Sequence, residues 1–416
     1  MSTETLQIAA IGAEGDGIAR TPQGAVFVPF TLPGETVAVA RLKNHGMPIS
    51  WSETSPERVS PRCRHFGSEG KGGACGGCSL QHWSDLPYQD FKRQLVVDAL
   101  RTQDIDVEVA PVITCLPGER RRVTMTARLT DKGVVLGFLQ ASTHQVVPVE
   151  ECPISMPAIV GRLDVVRRLV AALGSGSEPF RISISATLSG LDINMMDMKK
   201  PDARKRQAAT DILLREPGIA RVSVEGEIIV EPHKPILDIG GVQVVLPPGS
   251  FTQATVRAEQ AMADLVTAHL AKSKRVVDLF SGLGTFALRL ARKSAVHAVE
   301  FDAPALAALD NGARHAQGLK PISIERRDIF RRPMQALDLK NFDGLCFDPP
   351  WAGADQQCRE ITRSKVQKIA AVSCNPVTLA RDLRILIDGG YELKSVTPID
   401  QFLWSSHVEA VALLER

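Results

Sequence analysis

The chain has 416 residues, 44% hydrophobic and 23% charged, with a formal net charge of +2. At roughly 150 residues per domain this length suits two or three domains, and the composition excludes a disordered or fibrous chain. No run of about 18 apolar residues and no basic leader is present, so the chain reads as a cytoplasmic protein without a membrane span, and its eight cysteines read as metal ligands, a catalytic thiol or buried small hydrophobes rather than disulfides.

Residues 1–57 pattern as short strands with Gly and Pro turns. Leu6–Ile11, Ala25–Phe30 and Thr36–Leu42 are the strand candidates, and LPGE at 32–35 is a turn. So small a β-rich piece suits an OB-type barrel, a fold that often grips nucleic acid, or a plain structural β-module.

A second region, 58–240, opens with a Cys/Gly-rich loop. Cys63 is followed after eleven residues by Cys75-Gly76-Gly77-Cys78, and after a further 73 by Cys152-Pro153. The glycines let both thiolates of the tight pair face one centre. Four thiolates suit zinc or an iron–sulfur cluster, and the Cys-Pro step favours the cluster. A helix is expected at about 87–102, where Phe91, Leu95, Val96, Ala99 and Leu100 recur at helical spacing. Strand-like runs follow at Arg122–Leu129, Val134–Leu139, Arg181–Leu188 and Gly226–Val230, with loops expected at 174–179 and 199–206. Basic residues cluster at Arg58–Arg64, Arg120–Arg122, Lys199–Arg206 and Arg326–Arg332. Gathered on one face they would meet phosphates, although each cluster read alone is a solvated surface.

From 241 the pattern becomes strand–helix alternation, the signature of an α/β domain with a mostly parallel sheet and ligands at the carboxyl ends of its strands. Thr255–Ala271 reads as a helix. Buried strands are expected at Arg275–Leu279, Ala295–Val299, Asp343–Phe347, Ile369–Ser373 and Val408–Leu414. The turn Asp278-Leu-Phe-Ser-Gly-Leu-Gly-Thr-Phe286 follows the first of these. Glu300, 22 positions after Asp278, ends the next strand, where a carboxylate can take a ribose; Asp328 follows the next apolar stretch and can meet an adenine. With no phosphate-binding lysine and no second glycine pair, this set suits an adenosine-bearing cofactor lacking a pyrophosphate cradle, such as S-adenosylmethionine. Phe347-Asp348-Pro349-Pro350-Trp351 places a carboxylate at a strand end, stiffened by two prolines. Cys374 ends the following strand just before a helix starting near Val377, a position expected to lower its pKa and make it a nucleophile. Glu409 sits beside an apolar run, where partial burial would raise its pKa and suit it to proton transfer.

With these residues in view, nearly the whole chain resembles the bacterial RNA 5-methyluridine methyltransferases, in particular the branch acting on large-subunit ribosomal RNA. The resemblance implies a Rossmann-like S-adenosylmethionine-dependent domain at 241–416, a TRAM barrel at 1–57 that binds RNA, and a small β-rich central domain at 58–240. It implies a [4Fe–4S] cluster on Cys63, Cys75, Cys78 and Cys152. It places Gln253, in Ser250-Phe251-Thr252-Gln253, against cofactor and base, with Phe280, Thr285, Glu300, Asp328 and Asp348 at cofactor positions. It makes Cys374 the nucleophile and Glu409 the proton acceptor, and it implies a monomer acting on RNA with no membrane partner. The chain departs from the family's usual pattern at Ser281, Thr285, Trp351 and Phe402-Leu403-Trp404, and in the long spacer after Cys63. A flipped uridine would stack on Phe251, Trp351 or Trp404. Two other readings use the same residues: an amino-methyltransferase built on Asp348-Pro349-Pro350-Trp351, and a non-catalytic RNA-binding or ribosome-assembly protein that keeps the fold.

Overall fold

A computed structural model describes residues 2–141 and 143–416. The N-terminal strands Ser2–Ile11, Gly17–Thr21, Gly24–Val28, Thr36–Leu42 and His45–Glu53 close into a barrel in the order first, second, third, fifth, fourth, and the first strand pairs back onto the fourth. Alternation drives this closure. Leu6, Ile8, Ala19, Val26, Val28, Val37 and Val39 point inward at period two and form the barrel core. The expected OB-type barrel is therefore present, although the strand read at Ala25–Phe30 stops at Val28 and Phe30 turns off at φ 63°.

The middle of the chain forms a seven-stranded sheet, running in space Glu227–Val230, Ile219–Val224, Gly190–Met196, Phe180–Thr187, Arg122–Thr130, Gly133–Leu139 and Val146–Pro148. Helices Leu163–Leu173 and Ala203–Leu213 cover one face. Leu169, Val170, Leu173, Ala209 and Leu213 pack there against Ile182, Ile184 and Ile193. The loop expected at 199–206 holds for 199–202 and gives way to the second helix from Ala203: Asp202 caps it by accepting from the Lys205 backbone N–H at 2.9 Å, so Arg204, Lys205 and Arg206 lie in its first turn.

The C-terminal half is a doubly wound α/β layer. Its sheet runs Ile322–Arg326, Ala295–Glu300, Arg275–Leu279, Gly344–Phe347, Lys368–Ser373, Glu409–Glu415, Glu392–Asp400 and Ile113–Thr114. The first five are parallel, and Glu409–Glu415 inserts antiparallel between its two neighbours. Both faces are buried, which is why the strands read as continuous apolar runs. Val277, Leu279, Leu345, Phe347, Ile369 and Ala371 face one helical layer, and Val276, Cys346, Ala370 and Val372 face the other.

Two segments cross the expected domain limits. The hairpin at 236–245 buries Leu237, Ile239, Val242 and Val244 against Leu283, Leu288 and Ala305, so the limit read at 240 falls inside a unit of the α/β layer. Helix Asp85–Arg101 packs Val96, Ala99 and Leu100 into the α/β core, and Ile113–Thr114 supplies that sheet's edge strand.

The basic clusters do not form one free face. Arg58 pairs with Glu35, Arg64 with Glu150 and Glu151, Lys200 and Arg206 with Glu227, and Arg327 with Glu325 and Asp338. Among the described residues Arg120 and Arg122 have no carboxylate partner. No helix is long and apolar enough to cross a membrane among the described residues.

Candidate active site

A cavity of about 530 Å³ opens at the carboxyl ends of the parallel strands. Its wall comes from three places: the glycine turn with the end of the next strand (Phe280, Ser281, Thr285, Glu300), the strand ends bearing Asp348, Cys374 and Glu409, and the segment before the helix Val256–His269, which brings Phe251, Thr252 and Gln253. The central sheet adds Arg120, Arg121 and Arg122. Seven of the eight residues assigned from sequence to catalysis and cofactor thus converge on one space. The exception is Asp328, which is absent from the cavity wall and caps the following turn by accepting from the Arg331 backbone N–H at 3.1 Å.

Local geometry explains the glycine turn. Phe280 adopts φ 60°, a strained conformation for a residue with a β-carbon, and Gly282 and Gly284 follow at φ 51° and 93°. A β-carbon on Gly284 would lie 2.9 Å from Leu309 Cγ. Glu300 locks the turn: its carboxylate accepts from the Gly282 N–H at 2.9 Å and from the Phe301 and Asp302 N–H groups at 2.6 and 2.8 Å.

Beside this turn lie buried polar groups that no protein group satisfies. The hydroxyls of Ser281 and Thr252, both on the cavity wall, have no partner; the Asp278 carboxyl is buried behind that wall, near the Ala287 N–H. Burial, reinforced by the Asp348 and Glu300 carboxylates, pushes the Asp278 pKa well above its usual range. Orphaned buried groups of this kind are costly unless a ligand meets them. A cofactor carrying an ammonium, hydroxyls and a polar ring fits this wall.

The reacting end holds two acids and a thiol. Gln253 Nε2 donates to Asp348 Oδ2 at 3.0 Å; Gln401 Nε2 donates to Gln253 Oε1 at 3.1 Å and to Glu409 Oε2. Loss of solvent pushes the Asp348 pKa up to about 7. Burial, with Asp348 nearby, pushes Glu409 up to about 8. Burial together with Glu409 and Asp348 pushes Cys374 up to about 12. This corrects the expectation that the helix N-terminus would lower the thiol. Asn375 caps helix Pro376–Asp388, but the two carboxylates and desolvation outweigh the helix end. Cys374 is therefore a thiol in the free protein, beside two carboxyl groups able to exchange protons near neutral pH.

The aromatic candidates separate. Phe251 is 62% exposed under Arg122, and Trp351 is 54% exposed, edge-on to His407. Both line the cavity, whereas Trp404 is only 5% exposed and packs with Leu32, Leu80 and Trp83 away from it. Gln401 and the pair Arg120 and Arg122 were not singled out as site residues from sequence. The only signals available were a glutamine eight positions before Glu409 and a triple-arginine run.

The four proposed cluster cysteines, Cys63, Cys75, Cys78 and Cys152, line a second cavity, of about 630 Å³. Arg120, Arg122 and Phe402 line both cavities. Desolvation and mutual repulsion raise the pKa of Cys63 and Cys78, and bring Cys75 to about 11. Ser155 Oγ donates to Cys152 Sγ at 3.1 Å. Among the described residues no three His, Cys, Asp or Glu side chains stand close enough to hold a single metal ion. The Ser79 and Leu80 N–H groups, just after Cys78, donate to the Trp404 carbonyl at 2.9 and 3.0 Å, tying this loop to the segment before Glu409.

A model described as tRNA (Uracil-5-)-methyltransferase matches residues 236–416, and a TRAM domain model matches 2–40. The chain is 56% identical, over its whole length and that of the relative, to an uncharacterized RNA methyltransferase of Agrobacterium fabrum. It is 31% identical to a 23S rRNA (uracil(1939)-C(5))-methyltransferase of Halomonas elongata, covering 99% of this chain and 89% of that one. The crystal structure of a Pyrococcus abyssi tRNA (uracil-54, C5)-methyltransferase with S-adenosyl-L-homocysteine superposes with a TM-score of 0.76 over 99% of each chain; at 22% identity this shows the shared fold.

Proposed function

The chain belongs to the RNA uracil-5-methyltransferase family, a family of S-adenosylmethionine-dependent enzymes, and from that premise we propose that it methylates C5 of a uridine in large-subunit ribosomal RNA through a covalent bond between Cys374 and the base. The observation that carries this reading is the meeting of Cys374, Asp348 and Glu409 in one cavity with the glycine turn. The ribosomal target rests on the 31% identical relative.

Uracil C5 is a weak nucleophile until C6 is saturated. Cys374 Sγ bonds to C6 while its proton passes to a neighbouring carboxylate, and C5 becomes an enolate carbon. Asp348, with a pKa near neutrality, is suited to take that proton, which leaves the Glu409 carboxylate free for the last step. S-adenosylmethionine supplies an electrophilic methyl on a sulfonium. Glu409 then takes the C5 proton, the C–H electron pair forms the C5–C6 double bond, and the C6–Sγ pair leaves with Cys374. In this reading the cofactor lies along Phe280, Ser281, Thr285 and Glu300, where Ser281 and Thr252 offer unmet hydroxyls, and Gln253 and Asp348 hold the boundary between cofactor and base. Asp328 stands outside the cavity wall, its Oδ1 accepting the Arg331 N–H. The base must leave its stack to enter the cavity. Phe251 and Trp351, at the rim, offer stacking surfaces, and Arg120 and Arg122 offer unpaired positive charge to the RNA backbone.

We assign Cys63, Cys75, Cys78 and Cys152 to a [4Fe–4S] cluster rather than to zinc. The four thiols line one cavity, and the Cys152-Pro153 step favours an iron–sulfur cluster.

Denaturing electrophoresis of the protein with 5-fluorouridine-substituted 23S ribosomal RNA and S-adenosylmethionine tests the mechanism. A covalent complex formed by the wild type and absent in Cys374→Ala is expected. Turnover by Cys374→Ala, or N-methylated adenine as the product, would overturn it.

A further inference from the structure

Gln401 lies at the end of strand Glu392–Asp400, 3% exposed, with every polar atom of its side chain engaged. Its Nε2 donates to Glu409 Oε2 and to Gln253 Oε1, and its Oε1 accepts the Ala254 N–H at 3.1 Å. The opposite amide orientation would set Oε1 against a carboxylate and a carbonyl, and NH₂ against an N–H. Three contacts therefore fix its direction. With Gln401 held, one oxygen of Glu409 is anchored, and no protein group among the described residues donates to the other, Oε1, on a side chain that lines the cavity.

We propose that Gln401 is a positioning residue that aims the free oxygen of Glu409 at C5 and so sets the rate at which methylated RNA is released. The inference rests on the covalent reading above. Addition of Cys374 and transfer of the methyl do not consume the proton that Glu409 removes; only elimination does. In that step the C5–H pair becomes the double bond, the C6–Sγ pair departs on sulfur and the proton ends on Glu409. A fault at Gln401 therefore falls on the last step and leaves the earlier ones intact.

The test uses the full chain, in-vitro-transcribed 23S ribosomal RNA and S-adenosylmethionine labelled in the methyl group. In Gln401→Met, which keeps the length and removes the amide, label should enter the protein–RNA adduct within threefold of the wild-type rate. The adduct should then break down at least tenfold more slowly. S-adenosylhomocysteine affinity by calorimetry should stay within threefold. The charged and titratable neighbours facing Glu409 are Asp348 and Cys374. Because Gln401 donates to the carboxylate, its loss should also move the rising limb of the release rate to higher pH. Gln401→Glu keeps the shape and should stall the same step, more strongly as pH rises. Wild-type breakdown rates in both variants would overturn the proposal, as would a loss of cofactor affinity that accounts for the whole defect. If the wild type forms no adduct with 5-fluorouridine RNA, the covalent reading itself fails, an outcome separate from a normal adduct that Gln401→Met releases normally.

Discussion

Glu409 is a buried carboxyl group in a place that disfavours its charge, and Glu409→Gln should expose the energetic consequence. Burial and Asp348 carry its pKa from the ordinary 4.5 to about 8. The folded state therefore holds the proton more tightly than the unfolded chain does. That contribution to stability is fully present below pH 4.5 and is lost as pH rises through 8. Each tenfold difference in proton affinity is worth about 1.4 kcal/mol, so the full loss is about 5 kcal/mol, of which about 3 kcal/mol falls between pH 6 and pH 9. Glutamine has the same shape, cannot ionise and can still accept from Gln401. The stability of Glu409→Gln relative to the wild type should consequently rise by about 3 kcal/mol from pH 6 to pH 9. Urea denaturation followed by tryptophan fluorescence at the two pH values measures the gap. A gap that stays flat, or that narrows toward pH 9, would refute the claim that burial and Asp348 hold this carboxyl protonated.

Lys92 and Asp400 form a fully buried ion pair at 2.7 Å, with Tyr88 Oη also donating to Asp400 at 2.6 Å. Lys92→Met leaves the carboxylate without its cation and should cost about 3–5 kcal/mol in urea denaturation, most of it recovered when Asp400→Leu is added; a cost under about 1 kcal/mol would contradict the pairing. Anaerobically purified protein should contain iron and acid-labile sulfide with visible charge-transfer absorption, all lost in Cys78→Ser, whereas one stoichiometric zinc in place of iron would overturn the cluster assignment.

Strands with strict alternation or a long apolar run were legible in the sequence, because one or both faces must be covered: Thr36–Leu42 and Arg275–Leu279 run as expected. Helix Leu163–Leu173 was not read, although its buried positions recur at helical spacing; it sits between β runs that dominated the pattern. The edge strand Ile322–Arg326 is short and mostly unburied, so it carries little hydrophobic signal. In the site, strand-end residues such as Asp348, Cys374 and Glu409 were readable because the carboxyl edge of a parallel sheet gathers ligands. Gln401 was not, because what sets it apart is three hydrogen bonds to residues 8, 147 and 148 positions away. Asp328, read from the motif, sits outside the cavity wall, with one oxygen engaged in a local turn. Cys374 lies on the cavity wall at a strand end, as read, but its pKa is raised rather than lowered, because no spacing rule reveals two acids arriving from other strands.

The edge strand Ile113–Thr114 and the helix before it make the C-terminal half a discontinuous unit. Chain leaves the α/β layer after Thr114, builds the seven-stranded sheet, and returns at the hairpin beginning at Ile236. In architectural terms the central sheet is an insertion within the catalytic fold, although it reads along the chain as a domain preceding it. An excised fragment starting at 236 would retain every residue from Phe251 to Glu409 yet lack the strand that covers Ile399 and the lysine that neutralises Asp400. With 308 residues separating Lys92 from Asp400, completion of the catalytic sheet depends on a contact of very high sequence separation. Transplanting this activity onto another scaffold therefore means moving two stretches of chain together.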